Sequence, residues 1–257
     1  MRDPRDRIIV ALDYPDLAPA LAMAGLIGSR VGMLKVGLEL FNSAGPQAIT
    51  ALRERGARVF YDSKFYDIPN TVAGAAAAAG RMGVSMFNLH ALGGVAMMAA
   101  ARSAAAEAAQ AAGFPAPLVI AVTVVTSLGD CEVQQQLGIP STAGEAAVRL
   151  AKLAKEAGLD GVVASVHEVP EIKRACGRDF LVVTPGIRPS WAAVGDPSAG
   201  SGSSRVRQGG SRDDQARVAT PKEALWAGAD FLVIGRPVTR ADDPCAALGL
   251  ILQEMGG

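Results

Sequence analysis

Histidine and cysteine are scarce in this chain. There are two histidines, His90 and His167, and three cysteines, Cys131, Cys176 and Cys245, in 257 residues. Two histidines exclude a histidine-rich metal site and leave few ways to build a Ser-His-Asp triad. His90 follows Met86-Phe87-Asn88-Leu89 at an expected strand end and reads as a structural residue. The cysteines are far apart, fit no zinc or redox spacing, and their odd number argues against a disulfide framework, so a reduced, cytoplasmic setting is expected. A surplus of charge is missing too: 25 Lys and Arg balance 25 Asp and Glu. Without a basic excess, neither a nucleic-acid partner nor an anionic membrane is expected, and an anionic ligand has to be met by local Arg, Lys and backbone N–H groups. No apolar run approaches the roughly 20 residues that span a bilayer. Residues 1–7 are charged and lack the apolar stretch of a signal peptide. There is no metal-ligand cluster and no dinucleotide fingerprint.

Half of the residues are hydrophobic, enough for the core of one barrel-sized domain. Short runs rich in Val, Ile and Leu predict strands over 7–12, 31–36, 58–62, 84–89, 118–124, 161–165, 180–184 and 231–234. Most do not alternate, as expected of strands buried on both faces. Helical patterns lie between them. Leu17, Leu21 and Ala24 share a face, and a helix over 46–55 stops at Gly56. Thr142 with Glu145, and Thr220-Pro221-Lys222-Glu223, form capping boxes; Gly158 and Gly228 end those helices. The Ala-rich tracts 73–79 and 99–112 read as ordinary helices, since Ala is the best helix former. Eight β-then-α units predict a (β/α)8 TIM barrel, one domain over residues 1–257, with a doubly wound open sheet as the alternative. Residues 189–211 are rich in Gly, Ser and Pro and follow the seventh strand at the catalytic end of such a barrel. They read as a lid or as a neutral surface insertion.

The most informative stretch is Asp62-Ser63-Lys64-Phe65-Tyr66-Asp67-Ile68-Pro69-Asn70-Thr71. It joins the apolar run at 57–61 to a helix beginning near Thr71. Period-two alternation turns Asp62 and Lys64 to one side and Ser63 away from them. Asp67 stands at the helix entrance with Pro69 in its first turn. Acid, base and acid are thus crowded where a strand ends and a helix begins, which is where α/β proteins place their chemistry.

This string resembles the orotidine 5'-phosphate decarboxylases, and further pieces match in order. They are Val10-Ala11-Leu12-Asp13, Leu34-Lys35-Val36-Gly37, His90-Ala91-Leu92-Gly93-Gly94 and Val122-Thr123-Val124-Val125-Thr126-Ser127. Thr184-Pro185-Gly186-Ile187-Arg188, Asp214-Gln215-Ala216-Arg217-Val218 and Ile234-Gly235-Arg236-Pro237 complete the set, the first and last at an expected strand's carboxyl end and the middle one between the seventh and eighth strands. A relative that decarboxylates 3-keto-L-gulonate 6-phosphate with magnesium shares Asp-x-Lys-x-x-Asp. It is not expected to carry Thr126, Pro185 to Arg188 and Asp214-Gln215 together.

The resemblance implies decarboxylation of orotidine 5'-monophosphate to UMP without metal or organic cofactor, by a homodimer with shared active sites. It implies that Lys64 protonates ring carbon 6, held between Asp62 and Asp67, with Asp62 near the substrate carboxylate. Lys35 completes the charge chain, and Asp13 accepts from a ribose hydroxyl. Asp67 and Thr71 serve the neighbouring subunit's site, and the rest of the motif, Ser63, Phe65, Tyr66, Ile68, Pro69 and Asn70, borders the substrate. Thr126 reads the pyrimidine, while Gln215, Gly235 and Arg236, with Arg188 nearby, hold the phosphate. Ser63 and Tyr66 depart from the family's usual Leu and His; Tyr66 is expected to alter packing around Asp67. The span between Arg188 and Gln215 is longer than usual.

Overall fold

All eight apolar runs form strands, and all pair in parallel. The computed structural model describes residues 3–193 and 218–256. The strands are β1 (Ile8–Ala11), β2 (Met33–Val36), β3 (Val59–Phe65), β4 (Met86–His90), β5 (Leu118–Val122), β6 (Gly161–Val163), β7 (Leu181–Thr184) and β8 (Phe231–Ile234). Each pairs with the next, and β8 returns to β1 through Ile8 opposite Leu232 and Val10 opposite Ile234, closing a barrel in sequence order. That closure removes the open doubly wound sheet as an alternative.

The lack of alternation in the sequence follows from two apolar layers. Ile9, Met33, Phe60, Met86, Ile120, Val183 and Phe231 fill the barrel interior. Their neighbours, among them Ile8, Val10, Leu34, Val59 and Phe87, face outward and are buried under helices. A strand covered on both sides has no solvent face to carry polar residues.

The helices between strands are α1 (Leu17–Ile27), α2 (Leu38–Ala44), α3 (Gln47–Glu54), α4 (Pro69–Arg81), α5 (Gly94–Ala111), α6 (Asp130–Gln135), α7 (Ala143–Glu156), α8 (Val169–Cys176), α9 (Ser190–Ala193), α10 (Pro221–Ala227), α11 (Arg236–Thr239) and α12 (Pro244–Gly256). Both expected capping boxes form. Thr142 Oγ1 accepts from the Glu145 N–H at 3.2 Å while Glu145 accepts from the Thr142 N–H at 2.9 Å, and Thr220 and Glu223 repeat the arrangement. The Ala-rich tracts are ordinary helices whose small side chains let α4 and α5 approach closely. A Cβ on Gly80 would stand 2.4 Å from the Ala105 carbonyl oxygen.

Two boundaries differ from expectation in ways that matter. The fifth strand stops at Val122, leaving residues 123–127 to turn over the barrel mouth, and the third continues past Asp62 to Phe65. Of the expected lid or surface insertion over 189–211, Pro189 and α9 are described; residues 194–211, and Gln215, lie outside the described residues. On either side of that stretch the chain is fastened to itself. Ile187 bridges Ala219 in parallel, and the Arg188 N–H donates to the Ala219 carbonyl at 2.9 Å.

Candidate active site

The carboxyl ends of the strands surround a cavity of about 410 Å³. Phe60, Val122, Val163, Val183 and Val233 supply apolar wall, and polar groups converge from above: Asp13, Lys35, Asp62, Lys64, Asn88, Thr126, Arg188 and Arg236. A mostly apolar cleft with a few convergent polar groups is the usual form of a small-molecule site.

Four charges of alternating sign run along one side. Asp13 Oδ1 lies 3.0 Å from Lys35 Nζ, Lys35 Nζ lies 3.2 Å from Asp62 Oδ2, and Asp62 Oδ1 lies 2.6 Å from Lys64 Nζ. The inner two are the most enclosed, with side-chain exposures of 9% for Lys35 and 13% for Asp62. Burial alone would raise the Asp62 carboxyl. The Lys35 and Lys64 charges, with hydrogen bonds from Lys64 and Asn88, overcome it and hold the group down at about 2. Burial likewise works against the Lys35 ammonium, but Asp62 and Asp13 together raise it above its ordinary value. Both groups therefore stay ionised although they are largely buried. Gly37 leaves room for the row: a Cβ there would stand 2.8 Å from Lys35 Nζ and 3.2 Å from Asp13 Oδ1.

Asp62 and Lys64 do meet, but not by simple alternation. In an unbroken strand their Cα atoms would be about 6.8 Å apart with parallel side chains. Here Tyr61 stands opposite Phe87 and Phe65 opposite Leu89, so three residues of β3 face the single residue Asn88. Lys64 takes a left-handed backbone, φ 50°, as no other non-glycine among the described residues does. This break swings the ammonium back onto Asp62. Ser63 points away as expected, buried, with its hydroxyl donating to the Asn88 carbonyl at 2.7 Å.

The second half of the motif behaves differently. Residues 65–71 do not line the cavity. Phe65 packs edge-on against Tyr61, ring centroids 5.8 Å apart, and near Phe87. Tyr66, Asp67, Ile68, Pro69, Asn70 and Thr71 are all exposed. Pro69 opens α4 as expected. Asp67 is not beside Lys64 in this chain. Its Oδ1 accepts from the Ile68 N–H at 2.6 Å, and it makes no ion pair among the described residues. The expectation that Lys64 lies between two carboxylates of its own chain is therefore corrected: the chain turns outward after Phe65, and only Asp62 pairs with it. Tyr66 packs on His90, ring centroids 5.8 Å apart, rather than around Asp67. Burial, and then the nearby Lys64 charge, lower the His90 imidazole below its ordinary value.

Across the cavity, Thr126 is buried in the turn after β5, and Arg188, Gly235 and Arg236 follow β7 and β8. Gly235 precedes α11, and a Cβ there would meet Ala11 only at an ordinary 3.6 Å, so protein packing does not demand a glycine. The three cysteines are free, and no group of three or more His, Cys, Asp or Glu side chains is gathered as a metal site among the described residues. Sequence reasoning missed Asn88, which lines the cavity and bonds to Asp62 and to the Lys64 backbone. The signal was a lone amide in the otherwise apolar run Met86-Phe87-Asn88-Leu89.

Comparison with known proteins agrees with this architecture. The chain is 51% identical over 251 residues to "Orotidine 5'-phosphate decarboxylase" of Moorella thermoacetica, covering 98% of this chain and 92% of that one. It is 49% identical to the protein of the same name from Alkalilimnicola ehrlichii, covering 97% and 96%. The crystal structure of orotidine 5'-phosphate decarboxylase from Lactobacillus acidophilus superposes with a TM-score of 0.80 at 34% identity, over 97% of this chain and 99% of that one. A family model described as "Orotidine 5'-phosphate decarboxylase / HUMPS family" matches residues 6–251, and the chain belongs to that family.

Proposed function

We propose that this chain decarboxylates orotidine 5'-monophosphate to UMP in pyrimidine synthesis, without a cofactor, with Lys64 protonating the ring. The observation that carries the reading is the alternating row Asp13–Lys35–Asp62–Lys64 on one wall of a mostly apolar cleft at the carboxyl ends of the strands. The near full-length relatives that bear this activity in their names support it.

The chemistry explains why such a row is needed. Loss of carbon dioxide breaks the bond at ring carbon 6 and leaves its electron pair in the plane of the ring, orthogonal to the ring π system, which therefore cannot absorb it. Stabilisation toward the upper end of the ~8–23 kcal/mol available to enzymes is required. Asp62, ionised and enclosed, lies where the substrate carboxylate would be repelled until it departs as neutral carbon dioxide. The Lys64 ammonium faces the carbon where charge develops and then transfers a proton to it. Lys35 holds Asp62 in place, and Asp13 and Lys35 meet the ribose hydroxyls. Thr126 reads the pyrimidine. Arg236, the Gly235 backbone and Arg188, with Gln215, take the phosphate at the loops after the last two strands, the usual phosphate position in barrels.

The exposed run 66–71 supports a second element of the reading, a homodimer in which Asp67 and Thr71 complete the partner's site. Ile68 is 66% exposed and Tyr66 62%, unusual for large apolar side chains beside an active centre. Among the described residues no helix is long and apolar enough to cross a membrane, and a single-domain enzyme of the cytoplasm fits the free cysteines. The test is turnover of orotidine 5'-monophosphate in the presence of a chelator. Activity is expected with the unaltered chain and none with Lys64→Ala, whose melting temperature should stay near the original. No turnover by the unaltered chain, or near-normal turnover by Lys64→Ala, would overturn the reading.

A further inference from the structure

A break of three residues against one in a parallel ladder leaves polar groups without their regular partners. Such groups are costly when buried, and the strand does not hold its shape unless something else satisfies them. Asn88 meets all three residues of the break. Its Oδ1 accepts the Lys64 backbone N–H at 2.7 Å, its Nδ2 donates to Asp62 Oδ1 at 2.7 Å, and its carbonyl accepts the Ser63 hydroxyl at 2.7 Å. Asp62 Oδ1 in turn accepts from Lys64 Nζ at 2.6 Å. The contacts close a ring: Lys64 backbone, Asn88 amide, Asp62 carboxylate, Lys64 ammonium.

We propose that Asn88 is a positioning residue that sets the distance and direction between Asp62 and Lys64 by holding the break in β3. The inference rests on the reading of Lys64 as proton donor. Its chemistry is specific to an amide. Asn88 is 1% exposed and uses a donor on one side and an acceptor on the other. Asp has the same shape but no donor, and Leu has neither function. A left-handed lysine costs about 1–2 kcal/mol, and such strain persists where the surroundings over-determine it. Without the amide, the Lys64 N–H loses its acceptor and the backbone can relax to ordinary strand angles, carrying Nζ away from Asp62.

The test uses Asn88→Ala, Asn88→Asp and Lys64→Ala in the full chain, with kcat, KM and melting temperature measured for each on orotidine 5'-monophosphate. A misplacement of about 1 Å costs on the order of 10²-fold in rate. Both Asn88 variants are therefore expected to lose about 10–100-fold in kcat with KM within about threefold. Asn88→Asp preserves size and polarity, so a space-filling role would leave its kcat intact whatever its melting temperature. A kcat within fivefold of the original in Asn88→Asp, or a loss carried by KM, overturns the inference while inactivity of Lys64→Ala keeps the proton-donor reading standing. Turnover by Lys64→Ala overturns both.

Discussion

Asp62 ties the active site to acid stability. In the folded chain its carboxyl is held at about 2 against an ordinary 3.8, and only 13% of the side chain is exposed, so solvent screening removes little. The shift of nearly two units corresponds to about 2 kcal/mol of folding stability. The sign follows from which state binds the proton. Below 3.8 the unfolded chain takes up a proton that the folded one refuses, so the contribution is complete above that value and disappears as pH falls toward 2. About 1 kcal/mol should be gone at pH 3. The perturbation is Asp62→Asn, which removes the titrating group and keeps the shape. Urea unfolding from pH 3 to 7 should show the unaltered chain losing about 1 kcal/mol more than the variant over that range. The variant should start lower at neutral pH, because Lys35 keeps only Asp13 as a counter-charge. Parallel stability curves for the two proteins would refute the electrostatic account of this row.

Three other outcomes are expected. Asp67→Ala and Lys64→Ala, each inactive alone, should recover partial turnover when mixed and allowed to exchange subunits, because one site of a mixed dimer then carries neither lesion; no recovery after verified exchange would mean each site is built from one chain. Arg236→Ala should lose far more activity on orotidine 5'-monophosphate than on a truncated substrate lacking the phosphate, since energy from a remote group is realised at the reacting centre; equal losses would make Arg236 a structural cation. Burial lowers the His90 imidazole, so its neutral form favours the fold, and stability should decline as pH drops below its ordinary 6.5. His90→Gln should flatten that decline in unfolding titrations, and an unchanged slope would count against the assignment.

The barrel could be read from the sequence because its physics is local and repetitive. Ile8-Ile9-Val10 and Leu118-Val119-Ile120 have no polar face, and this happens when a sheet is covered on both sides. The charged row could be read because Asp13, Lys35, Asp62 and Lys64 stand toward the carboxyl ends of the first three strands. What the motif did not disclose is how the strand bends. Period-two reasoning brings Asp62 and Lys64 to one side, but the contact depends on a left-handed Lys64 and on a partner strand that contributes one residue against three. Register between strands is a property of the closed sheet, and no window of local sequence carries it. For the same reason Asn88 looked like a stray amide, and Asp67 looked like a neighbour of Lys64. Two residues three apart are neighbours on a helix, but here a strand end intervenes and the chain exits toward solvent.

The bridge between Ile187 and Ala219 separates length from geometry at this corner of the barrel. The chain leaving β7 and the chain approaching α10 are fastened to each other before residues 194–217 begin, with Arg188 on one side and the Thr220 cap on the other. Each doubling of such a closed span adds only about 0.6 kcal/mol of closure entropy. Closure entropy therefore sets little limit on the length of chain between Arg188 and Thr220. For protein engineering the same point favours grafting foreign sequence between the anchors but ahead of Gln215, at the mouth of an active site whose charged wall, on and beside β1 to β3, lies on other strands.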